Sequence, residues 1–176
     1  MRDLKHFSIP YKGMGTGTHT LQYNVDDKFF DAFENSHIKN GKFLVEITLE
    51  KKHESGVLSF VIDGTTKTDC DRCMEAIDLP VYGEYTLHIK LSEDGESNEE
   101  ILYLHPDTSI FNMAPLVYEY ILLSVPMIKT YDCHNDEEPP CNFDLLDKID
   151  QSSDNEPTTE KTSGIWDTLN DLTLKN

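Results

Sequence analysis

Cys70-Asp71-Arg72-Cys73, followed much later by Cys133-His134 and Cys141, uses every cysteine in the chain. Two thiols separated by two residues at a turn can put both sulfurs on one metal ion, and a tetrahedral zinc site then needs two more sulfur or nitrogen ligands from elsewhere. Cys133 and Cys141 are the natural second pair, with His134 as a substitute ligand. The expected site is a structural Zn2+ held by Cys70, Cys73, Cys133 and Cys141. Free reduced thiols or an occasional disulfide stay open beside it, because the second pair is widely spaced and encloses Pro139-Pro140.

Other thiol and metal chemistry finds less support. A redox CxxC wants its first thiolate stabilised at a helix N-terminus in positive surroundings. Here Asp69 and Asp71 flank Cys70, an arrangement expected to raise its pKa, with Arg72 offsetting part of the effect. A hydrolytic metal centre needs an open coordination position, which four thiolates would close. The histidines, His6, His19, His37, His53, His88, His105 and His134, show neither HxH nor HExxH spacing. No nucleophile motif accompanies a Ser/His/Asp set, so the chain is expected not to be an enzyme.

The elements that must position these residues follow from periodicity. Residues 43–50 place Phe43, Val45, Ile47 and Leu49 on one side of a strand, and Lys51 to Gly56 turns the chain. A second strand runs from Val57 through Leu58, Phe60 and Ile62 into the first cysteine pair. A third, 81–91, turns Tyr85, Leu87, Ile89 and Leu91 inward. The CxxC therefore sits at the tip between two long strands. Residues 5–9, 21–25 and 101–104 read as shorter strands, and Asp26 as the N-cap of a short helix bearing Phe29, Phe30 and Phe33. The clearest helix starts at Asn112, tolerates Pro115 in its first turn, carries Val117, Tyr118, Ile121 and Leu122 as its apolar stripe, and stops at Pro126. Gly13-Met14-Gly15-Thr16-Gly17 is a connector and not a phosphate loop, since strand-like sequence follows it where a helix would have to open.

The resulting expectation is an α+β domain built on an antiparallel β-sheet with one main packed helix, spanning residues 1–143. Residues 144–163 read as an acidic flexible linker too polar to support a core. Residues 164–176 form a short segment in which Trp166, Leu169 and Leu172 recur every third residue, an amphipathic helix that could dock on its own domain or on a partner. Glu119, on or beside the stripe of the main helix, is a second candidate partner contact.

Charge and length bound the function. The chain has 176 residues, with 33 acidic against 15 basic side chains and a net charge of −18. Such a surface repels phosphate backbones, so charge-driven nucleic-acid binding is disfavoured. The carboxylates crowd residues 93–100 and 132–160, where they would attract a basic partner or simply keep the chain soluble. No apolar run approaches the roughly 20 residues that span a bilayer, and no signal-peptide stretch follows Met1. A cytoplasmic protein with reduced thiols is expected.

The order of Cys70-Asp71-Arg72-Cys73, the Glu119-Tyr120-Ile121-Leu122-Leu123-Ser124-Val125-Pro126 run, Cys133 and Cys141, and the terminal Trp166, Leu169 and Leu172 resembles the YceD family, the large ribosomal RNA subunit accumulation proteins. The resemblance spans roughly residues 40–174. It implies a non-enzymatic factor for synthesis, processing or stability of large-subunit (23S) ribosomal RNA. It also places Cys70, Cys73, Cys133 and Cys141 at metal positions, and Glu119, Leu122 and Pro126 on the signature helix. Joined to the charge, it points to a basic ribosomal protein or large-subunit precursor as partner, with indirect and not direct RNA contact. The alternative is a zinc-stapled interaction module with an unrelated partner.

Overall fold

The computed structural model describes residues 4–98, 100–133, 136 and 138–154. Strands β2 (Gly17–Val25), β3 (Gly41–Lys51), β4 (Ser55–Asp69), β5 (Ala76–Leu91) and β6 (Ile101–Leu104) form one sheet in that order. Sequential neighbours pair antiparallel from β2 to β5, while β6 joins β5 in parallel. The α+β class expected from the sequence holds, with this parallel edge as an addition. Two short strands, β1 (Ser8–Ile9) and β7 (Phe111–Asn112), pair beside the main sheet and tie the N-terminal segment to the start of the main helix.

Alternation decides which face is buried, because successive strand side chains point to opposite sides. Phe43, Val45, Ile47 and Leu49 of β3 line up with Leu58, Phe60 and Ile62 of β4 and Val81, Leu87 and Ile89 of β5, all buried. Helix α2 (Ala114–Ser124) covers this face with Ala114, Val117 and Ile121. The cap falls one residue later than expected: Met113 is the N-cap and makes no side-chain cap bond, while Asn112 Oδ1 accepts from the Ala114 amide at 3.0 Å, and Pro115 sits in the first turn, where a missing N–H costs nothing. Tyr120 stacks on Tyr85 with ring centroids 4.7 Å apart. A Cβ on Gly83 would lie 2.2 Å from Ser124 Oγ, so the end of the helix can approach β5 this closely only over glycine. Near the N-terminus, helix α1 (Asp27–Phe30) follows its expected cap: Asp26 accepts from the Lys28 amide, and Phe29 and Phe30 are buried.

Residues 5–9, expected as a strand, are a 3-10 turn at Lys5–Phe7 with only Ser8–Ile9 extended, and one longer stretch also departs from the sequence reading. Residues 143–154 form helix α3 (Phe143–Asp154), where a linker was expected from residue 144. Asn142 Oδ1 accepts from the Leu145 amide at 3.1 Å, and Leu146 is buried. The side-chain cap and the buried Leu146 anchor a helix whose other apolar residues are Phe143, Leu145 and Ile149 and whose remaining positions are Asp, Lys, Gln and Ser. Residues 164–176, with Trp166, Leu169 and Leu172, lie outside the described residues.

The β4–β5 hairpin is longer than the sheet that supports it. Its ladder runs from Ser55 opposite Lys90 to Asp69 opposite Ala76, but β3 stops pairing at Thr66. Three residues of each strand thus extend beyond their neighbour, about 10 Å, and carry the CxxC turn at the end. Packing by α2 is what holds the sheet beneath that hairpin. Replacing Ile121, fully buried in this interface, by alanine should lower stability by about 2–5 kcal/mol, read as a reduced midpoint of urea unfolding at an unchanged slope.

Candidate functional site: a cysteine cluster at the hairpin tip

The turn that follows β4 closes on itself. The Cys70 amide donates to the Glu75 carbonyl at 2.8 Å and the Met74 amide to the Cys70 carbonyl at 2.9 Å, with Met74 in the left-handed region at φ 59°. This geometry tucks Cys70 and Cys73 inward while Asp71, Arg72 and Met74 stay exposed.

The loop after α2 clasps the turn from the side. The Asp71 amide donates to the Lys129 carbonyl, and the Lys129 amide donates back to Asp71 Oδ2, both at 2.7 Å. This reciprocal pair brings the backbone of residues 129–133 alongside the cysteines. Beyond it, Cys133 and Cys141 meet in a disulfide with their Cα atoms 6.3 Å apart. Cys70, Cys73, Cys133, Ile77, Leu79 and Leu146 form one buried cluster, against which Val125, Tyr131 and Cys141 pack. All four cysteines therefore converge at one place, the second apolar centre of the fold.

Two expectations need correction here. Four reduced thiols were expected, whereas only Cys70 and Cys73 are free and Cys133 is bonded to Cys141. The two cysteines are separated by eight positions in the chain. Among the described residues, no group of three or more His, Cys, Asp or Glu side chains is arranged to hold a metal ion. The second correction concerns the Cys70 thiol. Burial is the strongest influence on it and pushes its pKa up. The backbone amides of Cys73, Arg72 and Tyr131 and the thiol of Cys73 outweigh burial and bring the pKa below the ordinary thiol value. Asp71 was expected to raise it, but its carboxylate is turned to the Lys129 amide. Hydrogen bonds to a charged form favour that form even without a neighbouring cation.

The remaining candidates are dispersed. Glu119 is exposed on the solvent side of α2, away from the cysteines in the chain. His134, Trp166, Leu169 and Leu172 fall outside the described residues. Sequence reasoning missed Lys129, Tyr131 and Leu146. Only Leu146 left a trace, in the spacing of Leu145, Leu146 and Ile149 behind Asn142, which is that of a short amphipathic helix.

Fold and site together define an α+β domain with a cysteine-braced hairpin tip. The family described as Large ribosomal RNA subunit accumulation protein YceD matches residues 58–173, more than half of the chain, and the chain belongs to that family. The match takes in the CxxC turn, α2, Cys133, Cys141 and the segment of Trp166, Leu169 and Leu172, and the family's description supports a role in ribosome biogenesis. No curated protein and no solved structure matches the chain.

If the Asp71–Lys129 pair is what holds the loop against the turn, Asp71→Ala should cost about 0.5–1.5 kcal/mol of stability and speed hydrogen exchange at the Lys129 amide. Unchanged protection of that amide would mean the loop is held by something else.

Proposed function

We propose that this chain acts in the cytoplasm as a non-enzymatic factor supporting synthesis, processing or stability of 23S ribosomal RNA, by holding a basic ribosomal protein or a large-subunit precursor particle. The observation that carries the reading is the net charge of −18 on a member of this family. A surface so acidic gains nothing from phosphate contacts, because it has few cations with which to release their counterions. It does complement Lys- and Arg-rich proteins, whose capture it would accelerate and orient. Exposed carboxylates at Glu93, Asp94, Glu96 and Glu100 follow β5, and others at Asp132, Asp136, Glu138, Asp144, Asp147 and Asp150 surround the far end of the domain. Glu119, exposed on α2, would supply a partner contact that charge alone cannot make specific.

The cysteine cluster serves this function as a brace. In this reading Cys70, Cys73, Cys133 and Cys141 hold a structural Zn2+ once the Cys133–Cys141 bond is reduced, with His134 as a substitute ligand. The donors suit that ion: Cys70, Cys73 and Cys133 share one buried cluster with Cys141 packed against it, and amides already aimed at Cys70 stabilise a thiolate. A dithiol reductant supplies two electrons and two protons to open the disulfide, and metal binding then releases the thiol protons. Zinc would join the hairpin tip to the loop and to the start of α3.

Purified under reductant, the chain should carry one zinc ion, and Cys70→Ser and Cys73→Ser should lose both the metal and several degrees of melting temperature. A reduced chain free of zinc, with variants that melt like the parent, would reject the brace. For the partner, the chain should co-sediment in cell extract with free or immature large subunits. It should also retain basic ribosomal proteins in a pull-down at low salt and release them at high salt. Direct binding of 23S fragments with a steep salt dependence, and no affinity for ribosomal proteins, would overturn that part.

A further inference from the structure

Beside the cysteine cluster lies a half-open cleft of about 290 Å³. Its apolar wall is built by Leu122, Val125, Pro126 and Met127, where α2 ends and the loop toward Lys129 begins. Met127 is 98% exposed and the next residue, Ile128, 73%, so the wall continues into an apolar surface open to solvent. The lining also includes His37, Lys67 and Lys129. Neither lysine makes an ion pair among the described residues, although Asp78 lies opposite Lys67 in the β4–β5 ladder. On a chain of net charge −18, this cleft sets two lysines beside an apolar wall.

We propose that this cleft receives residues 165–174 of the same chain, with Trp166 and Leu169 against the Leu122–Met127 wall and Asp167 and Asp171 toward Lys67 and Lys129. Three observations select this occupant. Its composition is complementary: Ile165, Trp166, Leu169 and Leu172 are apolar and both of its charged residues are acidic, so it answers both sides of the cleft. The cationic protein invoked above as client would instead be repelled by the lysine rim. Reach also allows it. Val125 lines the cleft and also packs on the cysteine cluster, where Leu146 anchors α3. Eight residues of helix carry the chain about 12 Å from Leu146 to Asp154, and the twelve steps from there to Trp166 can span about 40 Å. The chain can therefore return to the cleft. Finally, joining the segment to the domain raises its effective concentration at the cleft to about the millimolar range, enough for a small contact to close.

Trp166 is the only tryptophan, so its fluorescence reports the contact directly. In the full chain at low concentration, its emission should be blue-shifted from that of the chain in denaturant and poorly quenched by acrylamide. Met127→Glu, at a position too exposed to matter to the core, and the pair Lys67→Glu with Lys129→Glu should each move the emission to the denatured wavelength and raise quenching several-fold. Far-UV circular dichroism should stay unchanged. Leu169→Asp should do the same from the other side of the contact. Emission already at the solvent-exposed wavelength in the parent chain would overturn the proposal, as would a blue shift indifferent to the cleft substitutions. So would a shift that appears only as protein concentration rises, which would indicate a second copy, or only when ribosomal particles are added, which would indicate a partner.

Discussion

The uninterrupted β4–β5 ladder is the constraint on which the rest of this structure depends. It pairs Ser55 with Lys90 at one end and Asp69 with Ala76 at the other, and so determines where the CxxC turn must be. Because β3 stops at Thr66, the tip receives no support from the sheet, and its inward residues Ile77 and Leu79 would face solvent if nothing covered them. The loop after α2 and the first turn of α3 supply that cover. Such a small cluster buries too little apolar area to be stable alone, the situation in which small folds recruit a cross-link or a metal. The cysteines lie at this overhang, where the Cys133–Cys141 disulfide cross-links the covering segment.

Much of this was readable from residue order. Strands β3, β4 and β5 announced themselves through strict alternation, and the inward sets Phe43 to Leu49 and Leu58 to Ile62 are buried as that alternation requires. Capping chemistry was legible at α1, where Asp26 accepts the Lys28 amide, while at α2 the cap is Met113, one residue after the expected Asn112. Features that depend on distant partners left weaker traces. The parallel β6 edge is fixed by where the 92–100 connection leads, which periodicity does not encode. Helix α3 was passed over because the acidic composition of residues 144–160 outweighed the short amphipathic spacing of Leu145, Leu146 and Ile149. At the site, the cysteines themselves were conspicuous, but the amides that lower the Cys70 pKa were not. Backbone donors from Tyr131 have no residue-type signature, so a reading limited to side chains saw only Asp69 and Asp71 and inferred the opposite sign.

The same limitation explains why the second cysteine pair was harder to place than the first. A CxxC has its geometry largely determined by one tight turn, here closed by Met74 in the left-handed region. Cys133 and Cys141 depend on how a proline-containing loop folds over a neighbour, and that path is set by the Asp71–Lys129 hydrogen bonds, made between residues far apart in the sequence. Convergence of the four sulfurs is thus a tertiary fact, while the identity of the residues was a local one.

Charge is distributed along the same hairpin in a way that bears on what a client must look like. The acidic connection 93–100 leaves β5 at the end opposite the cysteine tip, and the 16 residues of that strand separate the two by about 50 Å of chain. The acidic residues of α3 belong to the tip. At physiological ionic strength exposed charges act over a screening length of about 8 Å, so the two groups cannot add their fields on a small cation. In the function proposed above, each would engage its own stretch of partner. A compact basic domain would meet only one of them, whereas a basic protein with an extended arm could lie along the sheet and meet both. The lysine-rimmed cleft at the tip sharpens this selection, since it offers such an arm no purchase and leaves the carboxylates on either side as its points of attachment.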